Sequence, residues 1–247
     1  MAPKDSERLS LPSAFLTAEW RHLAMLNYEV DPGLLLEFVP PGTELDTWNG
    51  KTFLTLVGFQ FLKTKVRGIS VPFHRDFEEV NLRFYVRRTG VDGVKRGVVF
   101  IREIVPSWLT AAVARAFYNE RYVAAPMSHR VERTDAGLSV EYEWKFSRSK
   151  NKIKVKAKGD PAVPQNGSQE QFITEHYWGY ASRTNGGCIE YRVEHPPWNI
   201  WTASDAVFDV DMEDLYGKEL NAVLKHSPES VFLAEGSPVT VYRCKRL

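Results

Sequence analysis

The chain predicts a mainly β, α+β domain, its strands closing into a barrel or stacking as a sandwich, with a few short helices between them. Two alternating runs and one turn carry that expectation. Leu138, Val140, Tyr142, Trp144 and Phe146 alternate with Ser139, Glu141, Glu143 and Lys145, the period of two that puts apolar side chains on one face of a half-buried strand. Ile153, Val155 and Ala157 alternate in the same way with Lys152, Lys154, Lys156 and Lys158. Trp48-Asn49-Gly50-Lys51 holds the Asn-Gly pair of a two-residue hairpin, whose central positions both need positive φ.

Further strands are expected over residues 52–62, 80–88, 187–195 and 239–243, and three helices interrupt them. Asp31-Pro32 is an N-cap followed by proline at the first helical position, opening a short helix through Phe38 that Pro40-Pro41-Gly42 ends. From Ser107, residues Leu109, Ala112, Val113, Ala116 and Phe117 fall on one face of an amphipathic helix. Ser168 with Gln171 makes a capping box for a helix carrying Phe172, Ile173, His176, Tyr177 and Tyr180. The lysines of 152–158 are read as a solvated sheet face, because Glu141 and Glu143 precede them on the expected partner strand. Residues 159–167, rich in Pro, Gly and Asn, are a loop, since the same patterning continues on both sides.

Composition narrows the partners. Lys and Arg number 32 against 31 Asp and Glu, a net charge of +1, so affinity for nucleic acid through whole-chain phosphate neutralisation is not expected. The two cysteines, Cys188 and Cys244, and the six scattered histidines show no metal-ligand spacing, and no metal or cofactor is expected. Met1 to Ser10 is polar and charged, without the apolar core of a secretory leader. No run reaches the roughly 18 apolar residues of a membrane span. A cytoplasmic protein without a membrane partner is the expectation, and homo-oligomerisation is left open.

The motifs of phosphate loops, dinucleotide folds, zinc proteases and nucleophile elbows are missing. Three polar clusters remain. On a strand, Glu79, Asn81, Arg83 and Tyr85 share one face and Val80, Leu82, Phe84 and Val86 the other; the first face either meets solvent or forms the polar wall of a lumen. Trp108, Ala111, Arg115 and Tyr118 form a second stripe on the middle helix. Arg115 there either captures an oxyanion with its planar fork or lays its stem over the core. Glu175 and His195, which precedes Pro196-Pro197-Trp198, form an acid and base pair if the fold brings them together.

The runs Leu45-Asp46-Thr47-Trp48-Asn49-Gly50-Lys51, Val57-Gly58-Phe59 and Arg67-Gly68-Ile69 resemble the opening of the YqjF-like family, a bacterial domain of unknown function. Phe77-Glu78-Glu79-Val80-Asn81-Leu82-Arg83-Phe84-Tyr85-Val86 resembles its Phe-x-Glu-x-Asn-x-Arg-x-Tyr-Val strand. Gly97-Val98-Val99-Phe100, Ala114-Arg115, Tyr122-Val123-Ala124-Ala125-Pro126-Met127, Phe172-Ile173-Thr174-Glu175-His176-Tyr177 and His195-Pro196-Pro197-Trp198 continue the match in order. The resemblance implies one domain over 18–247 behind an N-terminal extension at 1–17. It also implies the fold of acetoacetate decarboxylase, an antiparallel β-barrel or cone around a cavity. Where that enzyme carries its Schiff-base lysine pair, this chain has Tyr118-Asn119-Glu120-Arg121, and neither an amide nor a carboxylate forms an imine.

The resulting expectation is a small organic, acidic ligand held in the cavity by Asn81, Arg83, Tyr85, Arg115, Tyr118 and His195. Glu120 and Glu175 would be the catalytic groups of a lyase or hydrolase acting on a carboxylate or carbonyl compound; the alternative is a non-catalytic ligand-binding module.

Overall fold

The computed structural model describes residues 13–70, 74–112, 120–135, 137–183 and 186–247. In chain order its strands are β1 (Ala14–Val30), β2 (Glu44–Leu45), β3 (Thr52–Val66), β4 (Ile69–Ser70), β5 (Phe77–Gly90), β6 (Gly93–Val105), β7 (Tyr122–Ala124) and β8 (Met127–Thr134). They continue with β9 (Gly137–Phe146), β10 (Ser149–Ala157), β11 (Trp178–Ser182), β12 (Cys188–Glu194), β13 (Ile200–Asp209), β14 (Ser230–Tyr242) and β15 (Lys245–Arg246). The α-helices are short: α1 (Gln169–Thr174), α2 (Glu213–Tyr216) and α3 (Lys218–Leu224). Strand dominates helix, as the alternation predicts.

The pairings run β6–β5–β3–β1–β14–β12–β11 and return to β6, closing a ring of strands. The ring is mixed rather than wholly antiparallel, because β11 lies parallel to β6, and β7 also joins β6 in parallel. From β14 the sheet continues through β13, β10, β9 and β8, and this extension folds back over the outside of β1, β3 and β5. Those three strands are therefore covered on both faces. One core inside the ring gathers Met25, Val57, Phe59, Tyr85, Val98 and Trp198. A second, outside it, packs Leu26, Leu56, Leu82 and Phe84 against Val140, Tyr142, Ile153 and Val155 of the covering sheet. Each fully buried Leu or Phe there contributes roughly 1.5–3 kcal/mol. Double coverage explains why β3 is an almost unbroken apolar run. It also fixes Gly58, whose added Cβ would stand 2.7 Å from both Ile153 Cδ1 and Tyr142 Cδ2.

Local details follow the sequence with some differences. Trp48 and Lys51 exchange backbone hydrogen bonds at 3.0 and 2.9 Å, with Asn49 and Gly50 at φ of 51° and 78°. Lys152 and Lys154 meet Glu141, each at 3.1 Å, and Lys156 meets Asp205 at 2.8 Å. Asp31 caps the Gly33 amide, but two 3-10 turns, Pro32–Leu34 and Leu36–Phe38, stand where one helix is expected. The Ser107 hydroxyl accepts from the Leu109 amide, and residues 108–112 are helical; the rest of that expected helix lies outside the described residues. The Ser168 cap forms, yet its helix ends at Thr174. His176 and Tyr177 follow its end, and Tyr180 belongs to β11.

The long strand β1 carries no clean alternation in its sequence. It is flanked by β3 and β14 and breaks register with β3 between Arg21 and Ala24, where His22 takes φ 56°. No helix among the described residues is long and apolar enough to cross a membrane.

Candidate functional site

Inside the ring a cavity of about 170 Å³ opens. Most of its wall is aromatic or aliphatic, and one strip is polar. Strand β5 turns Val80, Leu82, Phe84 and Val86 outward into the second core, so strict alternation points Glu79, Asn81 and Arg83 into the lumen. Glu103 of β6 stands directly opposite Asn81 in the ladder. Tyr122 of β7, Tyr191 of β12, Glu120, His176 and His195 complete the strip.

The carboxyl groups share one neighbourhood. The Tyr122 hydroxyl donates to Glu79 Oε2 at 3.0 Å and also faces Glu103, while Asn81 Nδ2 donates to Glu79 Oε1 at 3.0 Å. The Tyr191 hydroxyl donates to Glu120 Oε1 at 2.8 Å. Burial pushes Glu79 up to about 7, the two donors and the Arg83 charge holding it back. Burial, then the neighbouring Glu79 charge, pushes Glu120 up to about 8, against the pull of Tyr191 and Arg121. Glu103 rises well above the usual carboxylate range through burial and the charges of Glu120 and Glu79. Near neutral pH the cluster therefore holds protons.

Arg83 is different. It is 7% exposed, no carboxylate lies within ion-pair reach among the described residues, and its Nε has no hydrogen-bond partner there. Its guanidinium lies over the Tyr85 ring, 5.9 Å from the ring centre, and its charge is felt at Glu79, so the Nε–H is the part of the group left uncompensated.

The histidines are neutral bases. His176 Nε2 lies 3.1 Å from Asp46 Oδ2, which also accepts from Arg96 Nε at 2.6 Å. A carboxylate partner fixes the proton on Nε2 and leaves Nδ1 a buried acceptor without a partner among the described residues. Burial pushes His176 down to about 4, against the Asp46 bond. His195 donates from Nδ1 to the Pro196 carbonyl at 2.8 Å and stacks on Trp198 at 4.2 Å between ring centres; burial pushes it down to about 4 as well.

Of the residues singled out in the sequence, Asn81, Arg83, Glu120 and His195 line this cavity. Tyr85 does not reach the described lining: its hydroxyl bonds Thr55 Oγ1 at 2.8 Å, and its ring packs on Phe172 and His176. Glu175 is half-buried at the end of α1, where Gln171 Nε2 donates to it at 3.3 Å. With α1 ending early, the chain turns His176, not Glu175, into the lumen. Arg115 and Tyr118 lie outside the described residues. Sequence reasoning missed Glu103, Tyr122, Tyr191 and His176 as site residues. Glu103 was hidden because β6 slips register against β5 between Leu82 and Arg83, which disrupts alternation there. Among the described residues, no three His, Cys, Asp or Glu side chains are placed to hold a metal ion, and no lysine lines the cavity.

This ring of strands around a cavity is the acetoacetate decarboxylase-like fold. It superposes with a TM-score of 0.65 on acetoacetate decarboxylase from Legionella pneumophila (14% identity, covering 100% of this chain and 98% of that one). With the enduracididine biosynthesis enzyme MppR complexed with pyruvate the score is 0.67 (13% identity, 97% and 92%). At such identities the likeness is one of fold. Residues 17–238 match the model of the DUF2071 family, described as uncharacterized conserved protein, and the chain belongs to that family. A similar relative is the uncharacterized protein YqjF of Bacillus subtilis (strain 168), 25% identical over 217 residues, 85% of this chain and 86% of that protein.

Proposed function

We propose that the protein is an enzyme of lyase type acting on a small carboxylate or carbonyl compound without a Schiff-base lysine. The observation that carries this is Arg83: a buried guanidinium whose Nε lacks a hydrogen-bond partner among the described residues, in a cavity where burial raises the carboxyl groups out of the ordinary carboxylate range. Its planar fork suits a carboxylate, and burial reduces the negative charge that the neighbouring carboxyl groups carry near neutral pH. His176, neutral with its Nδ1 lone pair free, is suited to take a proton from a carbon beside a carbonyl. Glu120, protonated near neutral pH, is suited to give one to the carbonyl oxygen. The C–H bond breaks, an O–H bond forms, and an enol results, with Glu120 left as carboxylate and His176 as imidazolium; the reverse transfers restore both. The pyruvate held by MppR, a protein of the same fold, makes pyruvate a natural probe.

The test is proton exchange. In D₂O, the protein should speed deuterium entry into the pyruvate methyl group, followed by NMR. Glu120→Gln and His176→Gln should each slow it by about 10²-fold or more, and Arg83→Met should weaken pyruvate binding. Pyruvate binding with no exchange in the wild type would defeat the enzymatic reading and leave a ligand-binding module.

A further inference from the structure

Nine buried side-chain nitrogen or oxygen atoms lack a partner among the described residues, and six of them belong to cavity-lining Trp20, Thr64, Asn81, Arg83, Glu103 and His176. Such orphans are rare in folded proteins, and each calls for an explanation. Their concentration in one cavity suits an occupant that is polar at more than one point.

The orphans differ in sign. Arg83 Nε is a donor and suits a carboxylate. Asn81 Oδ1 is an acceptor, which no carboxylate satisfies, and Glu103 Oε2 becomes a second one when Glu103 gives up its proton. The Asn81 amide is oriented by Nδ2 donating to Glu79 Oε1 at 3.0 Å, so Oδ1 is the atom left over. Asn81 and Glu103 are 1% and 2% exposed and stand directly opposite across the β5–β6 ladder, a pairing that puts side-chain roots about 5 Å apart. The two side chains therefore stand side by side in the cavity lining, with Glu79 and Glu120 in the same lining.

We infer that the ligand is an amino acid in the broad sense, its carboxylate at Arg83 and its protonated amine seated between Asn81 Oδ1 and Glu103. This rests on the carboxylate site proposed above and adds the second pole. An ammonium brings three donors and a positive charge, which satisfies both orphan acceptors. It makes Glu103 ionise, so one proton passes to the buffer on binding. Asn81 and Arg83 lie two residues apart on one strand face, about 7 Å along it, so the two poles suit a molecule whose amine lies beyond the α-carbon.

Matched pairs test this by calorimetry on the purified full chain: propanoate with 3-aminopropanoate, butanoate with 4-aminobutanoate, pentanoate with 5-aminopentanoate. At least one amino acid should bind tenfold or more tightly than its own carboxylate, with heat that depends on the buffer in the sense of proton release. Glu103→Gln and Asn81→Leu should bring that ratio to about one, and Lys154→Met, on the outer sheet face, should leave it in place. Glu103→Gln is close to isosteric and carries the test alone if Asn81→Leu does not fold. Equal affinities within every pair, or a preference that survives Glu103→Gln, overturns the amine site. If Arg83→Met still abolishes the plain carboxylates, the carboxylate site stands without it; if no carboxylate binds the wild type, both fail.

Discussion

The ring of Tyr191 occupies the space that a side chain at Gly179 would need. The two residues are cross-strand partners of β11 and β12, and a Cβ at 179 would stand 2.1 Å from Tyr191 Cζ and 2.4 Å from its hydroxyl oxygen. That close approach lets the hydroxyl reach Glu120. Gly179→Ala should displace the ring, cost about 1–3 kcal/mol of stability by overpacking, and raise the Glu120 pKa further by removing its donor. Carbonyl-resolved infrared or NMR titration of Glu120 measures the second effect; an unchanged midpoint would show that Tyr191 does not restrain it.

Glu120 ties stability to pH with a definite sign. Its folded pKa of about 8 lies above the ordinary 4.5, so the folded state binds more protons than the unfolded one between those values. Its contribution is fully present below pH 4.5 and is lost as pH rises through 8. Glu120→Gln, which keeps an oxygen acceptor for Tyr191, should match the wild type near pH 5 and exceed it at pH 9, by on the order of a few kcal/mol. Denaturant midpoints across that range decide it; parallel curves for the two proteins contradict it.

Arg83 trades stability for binding. Removing an unsatisfied buried polar group relieves about 1–3 kcal/mol, so Arg83→Met should melt higher than the wild type without ligand. The same variant should gain nothing from added carboxylate, while the wild type gains as mass action dictates. A melting temperature lowered by the substitution would mean that Arg83 is structurally paired after all.

His176 should stay neutral down to about pH 4, carrying its proton on Nε2. Nitrogen-15 shifts of the imidazole report both protonation and tautomer. Asp46→Asn should weaken the tautomer preference and leave Arg96 without its carboxylate partner at 2.6 Å. A cationic His176 at pH 6 would remove it as the proposed base.

The strand-rich class, the hairpin at Asn49-Gly50 and the charged outer face of β10 were legible in the sequence, because each depends on neighbours a few residues apart. The inward face of β5 was legible only as an alternative: alternation separates Asn81 and Arg83 from Leu82 and Phe84 but does not say which side holds the lumen. The Asp46–His176 pair spans 130 residues, and nothing local marks it. His176 read as one face of a continuing helix, and Tyr85 as polar, whereas Tyr85 spends its hydroxyl on Thr55 inside the inner core.

The double covering of β5 gives its two phases independent jobs. Even-numbered positions from 80 to 86 are committed to the outer core, and the odd-numbered 79, 81 and 83 to the lumen. A relative can therefore exchange every second residue of this strand and acquire a different ligand while the other half of the strand keeps the sheets together. Chemistry in this fold is writable in one phase of a strand without erasing the other, which makes a shared backbone a poor guide to a shared substrate.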